Sequence, residues 1–179
     1  MKPKFYIHIG LPKTATSTLQ RQFFPQFDHL DDWYYAGIRI PRSASGEFYN
    51  AYMECLHTGD FDAYQIAVGN IANASKILLS EEVTLVNYNG TWDTKLDRLR
   101  KMLEPYDYNI LLTIRHPVDA IFSYYVERFE IFKGHYPQFD MSLVQDPEMA
   151  VYRYSTFIPF LEKLFGRERI KYADFNSII

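Results

Sequence analysis

The chain has 179 residues, 47% of them hydrophobic and 23% charged, with a formal net charge of −3. That length suits one domain with a real core, the composition is ordinary for a globular protein, and a nucleic-acid binder would show a basic excess instead. The single cysteine, Cys55, cannot form an internal disulfide, so the fold does not depend on an oxidising compartment, and the residue reads as a small buried apolar side chain rather than a nucleophile. No segment approaches the roughly 20 apolar residues that cross a bilayer, and the N-terminus enters a strand without a signal-peptide core.

Taken in order, the pattern alternates strands and helices. Lys4–Ile9 reads as a strand and Thr16–Phe24 as the helix after it, stopped near Pro25. Residues 26–46 are loop-like around a short strand at Tyr35–Ile40, and helical patterns follow at 46–57 and 61–74. Ile77–Leu79 is a short buried strand bounded by Ser80 and two glutamates. Thr91 is placed to cap a helix whose apolar face is Trp92, Leu96, Leu99 and Leu103, ended by Pro105. Asn109–Ile114 is a strand as apolar as a central parallel strand should be. Pro117 opens a helix packed through Val118, Ile121, Phe122, Tyr125, Phe129 and Phe132. A long helix runs from Pro147 to Phe165, kinked at Pro159 and closed by Gly166, and Arg169–Tyr172 is the last strand. This alternation predicts one α/β domain over residues 1–179, a central parallel sheet flanked by helices, with ligands at the carboxyl ends of the strands.

The chemistry concentrates between Ile7 and Leu19, where an apolar strand runs into a loop carrying Lys13 and then into a helix start rich in hydroxyls. The unpaired N–H groups of a first helical turn and the helix dipole favour an anion there. Lys13 adds a full charge, and Thr14, Thr16, Ser17 and Thr18 add donors. A phosphate is the expected ligand. The ATP-binding pattern G-x-x-x-x-G-K-S/T does not fit. Counted from Gly10, its second glycine falls on Ala15 and its lysine on Thr16, with Lys13 three residues early.

The segment Pro12-Lys13-Thr14-Ala15-Thr16-Ser17-Thr18 instead resembles the 5′-phosphosulfate loop of the sulfotransferase family, P-K-T/S-G-T-T-x-L, with Ala15 where glycine is usual. A positive φ at that position would strain an alanine, whereas a helical φ would not. A second cluster follows the strand Asn109–Ile114. Arg115, with Ser123 eight residues on, resembles the family's 3′-phosphate motif. Arginine's planar fork suits a phosphate. Ile77–Glu82 looks like the strand ending in an acidic residue near the acceptor, and Ile170–Phe175 like the late strand ending in Y-E-D-F/L.

The resemblance implies a P-loop-like sulfotransferase fold and transfer of a sulfuryl group from 3′-phosphoadenosine 5′-phosphosulfate (PAPS) to an acceptor hydroxyl or amine, a carbohydrate being slightly favoured. Adenosine 3′,5′-bisphosphate would be the product. Pro12 to Thr18, Arg115 and Ser123 would hold the nucleotide, Lys13 would stabilise the leaving oxygen, and no metal is expected. The five histidines form no ligand pattern. Glu81 is the first choice of base, with Glu82 its close competitor and His57 and His8 outside candidates. His8 reads better as a packed core histidine, and His116 as a structural residue at a helix start. Trp33, Tyr34, Tyr35, Phe48, Tyr49, Tyr52, Phe61 and Tyr64 could stack on an acceptor, though core packing is the simpler role. Family members continue after the late strand with a segment that closes over the nucleotide. Here only Asn176–Ile179 follow, so a fragment or short member with an incomplete 3′-phosphate site is expected. The expected location is the cytoplasm of a cell that makes PAPS, and neither a nucleic acid nor a membrane span is expected. The rival readings are a P-loop kinase or NTPase, and a catalytically inactive nucleotide-binding module.

Overall fold

Short apolar runs pair in parallel where both faces of a strand can be covered. Here such runs form the middle of a five-stranded parallel sheet whose last edge strand, Ile170–Asp174, is largely exposed. The computed structural model describes residues 2–38, 46–71 and 74–177. Strands β1 (Lys4–His8), β2 (Trp33–Gly37), β3 (Lys76–Ser80), β4 (Asp107–Ile114) and β5 (Ile170–Asp174) form one sheet in the order β2-β3-β1-β4-β5. The register sets His8 beside Ser80 on one side and Leu111 on the other. The strand order reverses at β1, which is where an open parallel sheet leaves a crevice at its carboxyl edge.

One face of the sheet carries the main core. Ile7, Leu79, Ile110 and Leu112 belong to one buried cluster with Phe48, Tyr52 and Leu56 of α2 (Gly46–Thr58) and Tyr64 of α3 (Asp62–Asn70). The same cluster takes in Leu96 and Leu99 of α4 (Trp92–Leu103) and Phe157 and Leu161 of α7 (Tyr154–Phe165). The other face holds a smaller cluster of Leu19, Phe24, Tyr35 and Leu78. Cys55 lies in the main core, where burial pushes its thiol up to about 11 and leaves it inert.

Several boundaries differ from expectation for identifiable reasons. The first helix is α only over α1 (Thr16–Thr18), then winds as a π-helical turn at Leu19–Phe23 and as 3-10 at Phe24–His29. Pro25 sits in the first turn of that last stretch, where its missing N–H costs nothing, so it starts a turn rather than stopping one. The strand expected at Tyr35–Ile40 is Trp33–Gly37, with 39 and 40 outside the described residues, as are 72 and 73 of the helix expected over 61–74. Thr91 precedes α4 but turns its hydroxyl to Asp93, and Asn87 Oδ1 accepts the Trp92 N–H at 3.1 Å. Helix α5 (Pro117–Glu127) buries Ala120, Ile121, Tyr124 and Tyr125 and leaves Val118 and Phe122 exposed, and a break at Arg128 separates it from α6 (Phe129–Phe132). The helix expected over Pro147–Phe165 is 3-10 at Pro147–Tyr152, breaks at Arg153 (φ −81, ψ 75), and resumes as α7. Residues two apart on an unbroken helix point to nearly opposite sides. The break lets both Tyr152 and Tyr154 reach the carboxyl edge of the sheet, as their hydrogen bonds show.

Candidate active site

The loop between β1 and α1 is held in a conformation that most residues avoid. Lys13 has φ 69 and Ala15 φ 61, both left-handed, a placement that costs an L-residue about 1–2 kcal/mol. Alternating left-handed residues turn main-chain N–H groups to one side and build an anion-binding concavity. Gly10 is required for close approach, because a Cβ there would lie 2.2 Å from Thr16 Oγ1 and 2.9 Å from the His8 ring. Strain of this kind persists only when the surroundings enforce it.

Here the enforcement is a neutral hydrogen-bond chain under the loop. His8 is fully buried, with Nδ1 2.7 Å from Ser80 Oγ and Nε2 3.3 Å from Thr113 Oγ1. Thr113 meets Thr14 at 2.7 Å, and Thr14 donates to the Leu11 carbonyl at 2.6 Å. Burial pulls the His8 imidazole down to about 3, so it stays uncharged and ties together the ends of β1, β3 and β4. His8 is therefore a packed core residue, and Thr14 faces inward with it rather than towards a ligand.

Above the chain lies a cleft of about 670 Å³ that gathers the remaining loop residues named from the sequence: Pro12, Lys13, Ala15, Thr16, Ser17 and Thr18. Arg115 and Ser123, from the junction of β4 with α5, line the same cleft. Arg115 Nη1 donates to the Lys13 carbonyl at 3.3 Å, and its guanidinium lies 4.6 Å from the Phe175 ring centre. The Lys13 ammonium lies 3.5 Å from Glu127 Oε2.

The two glutamates after β3 take opposite directions. Glu81 is 1% exposed; it accepts the Tyr49 hydroxyl and the Val83 N–H at 2.9 Å, and it does not line the cleft. Burial pushes its carboxyl above the usual range. Glu82 is the one that lines the cleft. The sequence order does not distinguish them, because both lie past the end of β3, where the backbone leaves the strand and turns helical at Glu82 (φ −79, ψ −25). His57 also stays off the cleft, its ring edge-on to Tyr88 at 6.4 Å. His116 is exposed beside the α5 start, 4.0 Å from Asp119. Among the aromatics considered for an acceptor, Tyr35, Phe48, Tyr49, Tyr52 and Tyr64 are buried, and Tyr88, Tyr124 and Phe175 line the cleft instead.

No protein-family model matches this chain, and a search of curated proteins gives no match. A crystal structure of a sulfotransferase from Alicyclobacillus acidocaldarius superposes with a TM-score of 0.57 at 20% identity, covering 99% of this chain and 75% of that one. The fold is similar to that of a sulfotransferase. Among the described residues no three His, Cys, Asp or Glu side chains group to hold a metal, and no helix is long and apolar enough to cross a membrane.

Some of the cleft's construction escaped the sequence. Tyr152 donates to the Pro12 carbonyl at 3.0 Å, and Tyr154 to the Arg115 carbonyl at 2.8 Å. These hydroxyls fasten the Lys13 loop and the Arg115 junction from far along the chain, and no local pattern announces them. Arg128 and Glu127 line the cleft as well. Glu127 had a readable signal: it lies four residues after Ser123 on one helix, hence on the same face.

Proposed function

We propose that this chain is a PAPS-dependent sulfotransferase acting on an acceptor hydroxyl or amine, with a carbohydrate hydroxyl slightly favoured. The observation that carries this reading is the meeting of two sequence-distant segments in one cleft, with Arg115 bonded to the main chain of Lys13. An ammonium, two guanidiniums (Arg115 and Arg128) and the hydroxyls of Ser17, Thr18 and Ser123 suit a nucleotide phosphorylated at both ends.

The donor supplies a sulfuryl group whose transfer leaves adenosine 3′,5′-bisphosphate. Ser17, Thr18 and the loop N–H groups hold the 5′ side, and Arg115 with Ser123 holds the 3′-phosphate. Lys13 exchanges its pairing with Glu127 for the bridging oxygen, where negative charge grows, and stabilises that charge. Exposed ion pairs are worth about 0–1 kcal/mol, so Glu127 releases the lysine cheaply. Glu82, on the cleft wall, replaces Glu81 as the base and accepts the acceptor proton. Alignment and charge neutralisation do most of the work, as in phosphoryl transfer.

Calorimetry with adenosine 3′,5′-bisphosphate in the absence of Mg²⁺, set against Mg-ATP, tests the nucleotide assignment. Tight binding of the bisphosphate is expected, and a preference for Mg-ATP overturns it in favour of a kinase or NTPase. Transfer of labelled sulfate from PAPS to glycans and phenols then tests turnover, and no transfer to either would leave an inactive nucleotide-binding module.

A further inference from the structure

The cleft has a second wall, residues 82–88, and its chemistry differs from that of the loop. The segment contains no lysine or arginine. It presents Glu82, Val83, Val86, Asn87 and Tyr88 to the cleft. A carboxylate, an amide, a phenol ring and two valines do not recognise a polyanion. They suit a neutral molecule with hydroxyls and an apolar face, because a few placed polar groups on an apolar surface fix such a ligand.

Two ionisable side chains that never enter the cleft hold this wall. Lys95 of α4 is fully buried, and its ammonium donates to the carbonyls of Val83 at 2.7 Å, Val86 at 2.5 Å and Tyr88 at 2.9 Å. All three of its N–H groups are thereby used. From the other side Glu81 accepts the Val83 N–H, and Tyr49 fixes the second carboxylate oxygen. Val83 is thus gripped at its N–H by Glu81 and at its carbonyl by Lys95. Burial pulls the Lys95 ammonium down to about 8, with Glu81 and Glu148 favouring its charge, so it remains the donor at neutral pH. Buried ionisable groups stabilise poorly for what their desolvation costs; their best-attested use is to fix one arrangement among several.

We propose that Lys95 and Glu81 are positioning residues that set the shape of the 82–88 wall, and with it recognition of a neutral hydroxylated acceptor, while leaving the nucleotide loop untouched. This rests on the sulfotransferase reading for the word acceptor, but the wall itself is testable without it. The experiment compares the full chain with Lys95→Met, which keeps length and removes charge and donors, and with Tyr49→Phe, which removes one bond to Glu81 at nearly constant volume. Hydrogen–deuterium exchange is followed for peptides covering 82–90 and 10–18. The dissociation constant of adenosine 3′,5′-bisphosphate is measured by calorimetry, and KM by sulfate transfer to two neutral acceptors, chitotetraose and 2-naphthol.

In Lys95→Met, exchange over 82–90 should quicken at least tenfold, with 10–18 unchanged and nucleotide affinity within twofold. KM for the acceptor should rise about tenfold, more than kcat falls. Tyr49→Phe should show the same pattern at smaller amplitude, and it decides the matter if Lys95→Met does not fold. Exchange that rises equally in both peptides, or nucleotide affinity that falls in step with acceptor KM, overturns the proposal. If the parent chain binds nucleotide yet sulfates neither probe, the sulfotransferase reading fails separately. Exchange confined to 82–90 with unchanged nucleotide affinity then still supports the clasp, and uniform exchange still overturns it.

Discussion

Two turns leave neighbouring strands at the same edge of the sheet, starting from the paired residues His8 and Ser80, and they are built on opposite principles. The loop after β1 is strained above and neutral beneath: Lys13 and Ala15 are left-handed, and the support is an uncharged His8–Thr113–Thr14 chain. The turn after β3 stands on buried ionisable groups, Glu81 and Lys95. A loop that binds an anion through its own N–H groups gains from a support that adds no competing charge. A wall that meets a neutral partner can be held by charges kept out of sight.

The largest way to break this contrast is Lys13→Ala. If the loop's charge acts on the leaving oxygen, sulfate transfer should fall about 10²–10³-fold, the range seen when one such preorganised donor is removed. The unfolding midpoint should hardly move, since the ammonium has only a half-exposed pairing with Glu127 to lose. Transfer kinetics beside a thermal melt check both halves, and undiminished turnover would remove Lys13 from the chemistry.

Next in size is Arg115→Ala. A charge-assisted hydrogen bond contributes about 1.5–3 kcal/mol, so adenosine 3′,5′-bisphosphate should bind roughly ten- to a hundredfold more weakly. Adenosine 5′-phosphate, lacking the 3′ group, should lose much less, with only the brace on the Lys13 carbonyl at stake. Equal losses for both nucleotides in a titration would mean that Arg115 only props the loop.

The same contrast explains what the sequence could show. The loop was legible because its chemistry is local: strand, lysine and hydroxyls follow one another within Ile7–Leu19. The alternation of elements likewise foretold the parallel sheet. The wall was less legible, since the choice between Glu81 and Glu82 depends on where one strand ends. Lys95 looks like a surface residue in a charged helix, Trp92–Leu103, until the carbonyls of Val83, Val86 and Tyr88 are placed over it. Helix α5 is apolar on nearly every side, so its pattern could not tell Tyr124, which is buried, from Phe122, which is not. Tyr152 and Tyr154 act across long separations that no periodicity encodes.

Within the two supports, His8 and Glu81 should also answer acid with opposite signs. His8 is lowered from 6.5 to about 3 by burial, so between those values the unfolded chain binds a proton that the folded one refuses. Stability from this group is complete above pH 6.5 and is lost on acidification, at up to about 1.4 kcal/mol per pH unit across the window. Glu81 is raised above 4.5 by burial, so acid relieves its cost instead. Denaturant midpoints between pH 7 and pH 4 should therefore fall in the parent chain and fall less in His8→Gln. Parallel slopes would mean that His8 titrates freely.

The smallest effect is the most pointed test of strain in the loop. Ala15, at φ 61 and ψ 16, occupies a conformation that glycine reaches without cost. Ala15→Gly should relieve about 1–2 kcal/mol of left-handed strain and return roughly 0.4–1 kcal/mol through the greater freedom of the unfolded chain. The net gain is about 1 kcal/mol or a little less, which for a chain of this size raises the melting midpoint by roughly 2–4 °C. Nucleotide affinity should hold, because the groups facing the cleft on either side, Lys13 and Ser17, are unchanged. The same substitution at Ala120, buried within α5, should destabilise by about 1 kcal/mol, because a helical site gives glycine no conformational relief. A loss at both positions would show that the Ala15 methyl packs more than it strains.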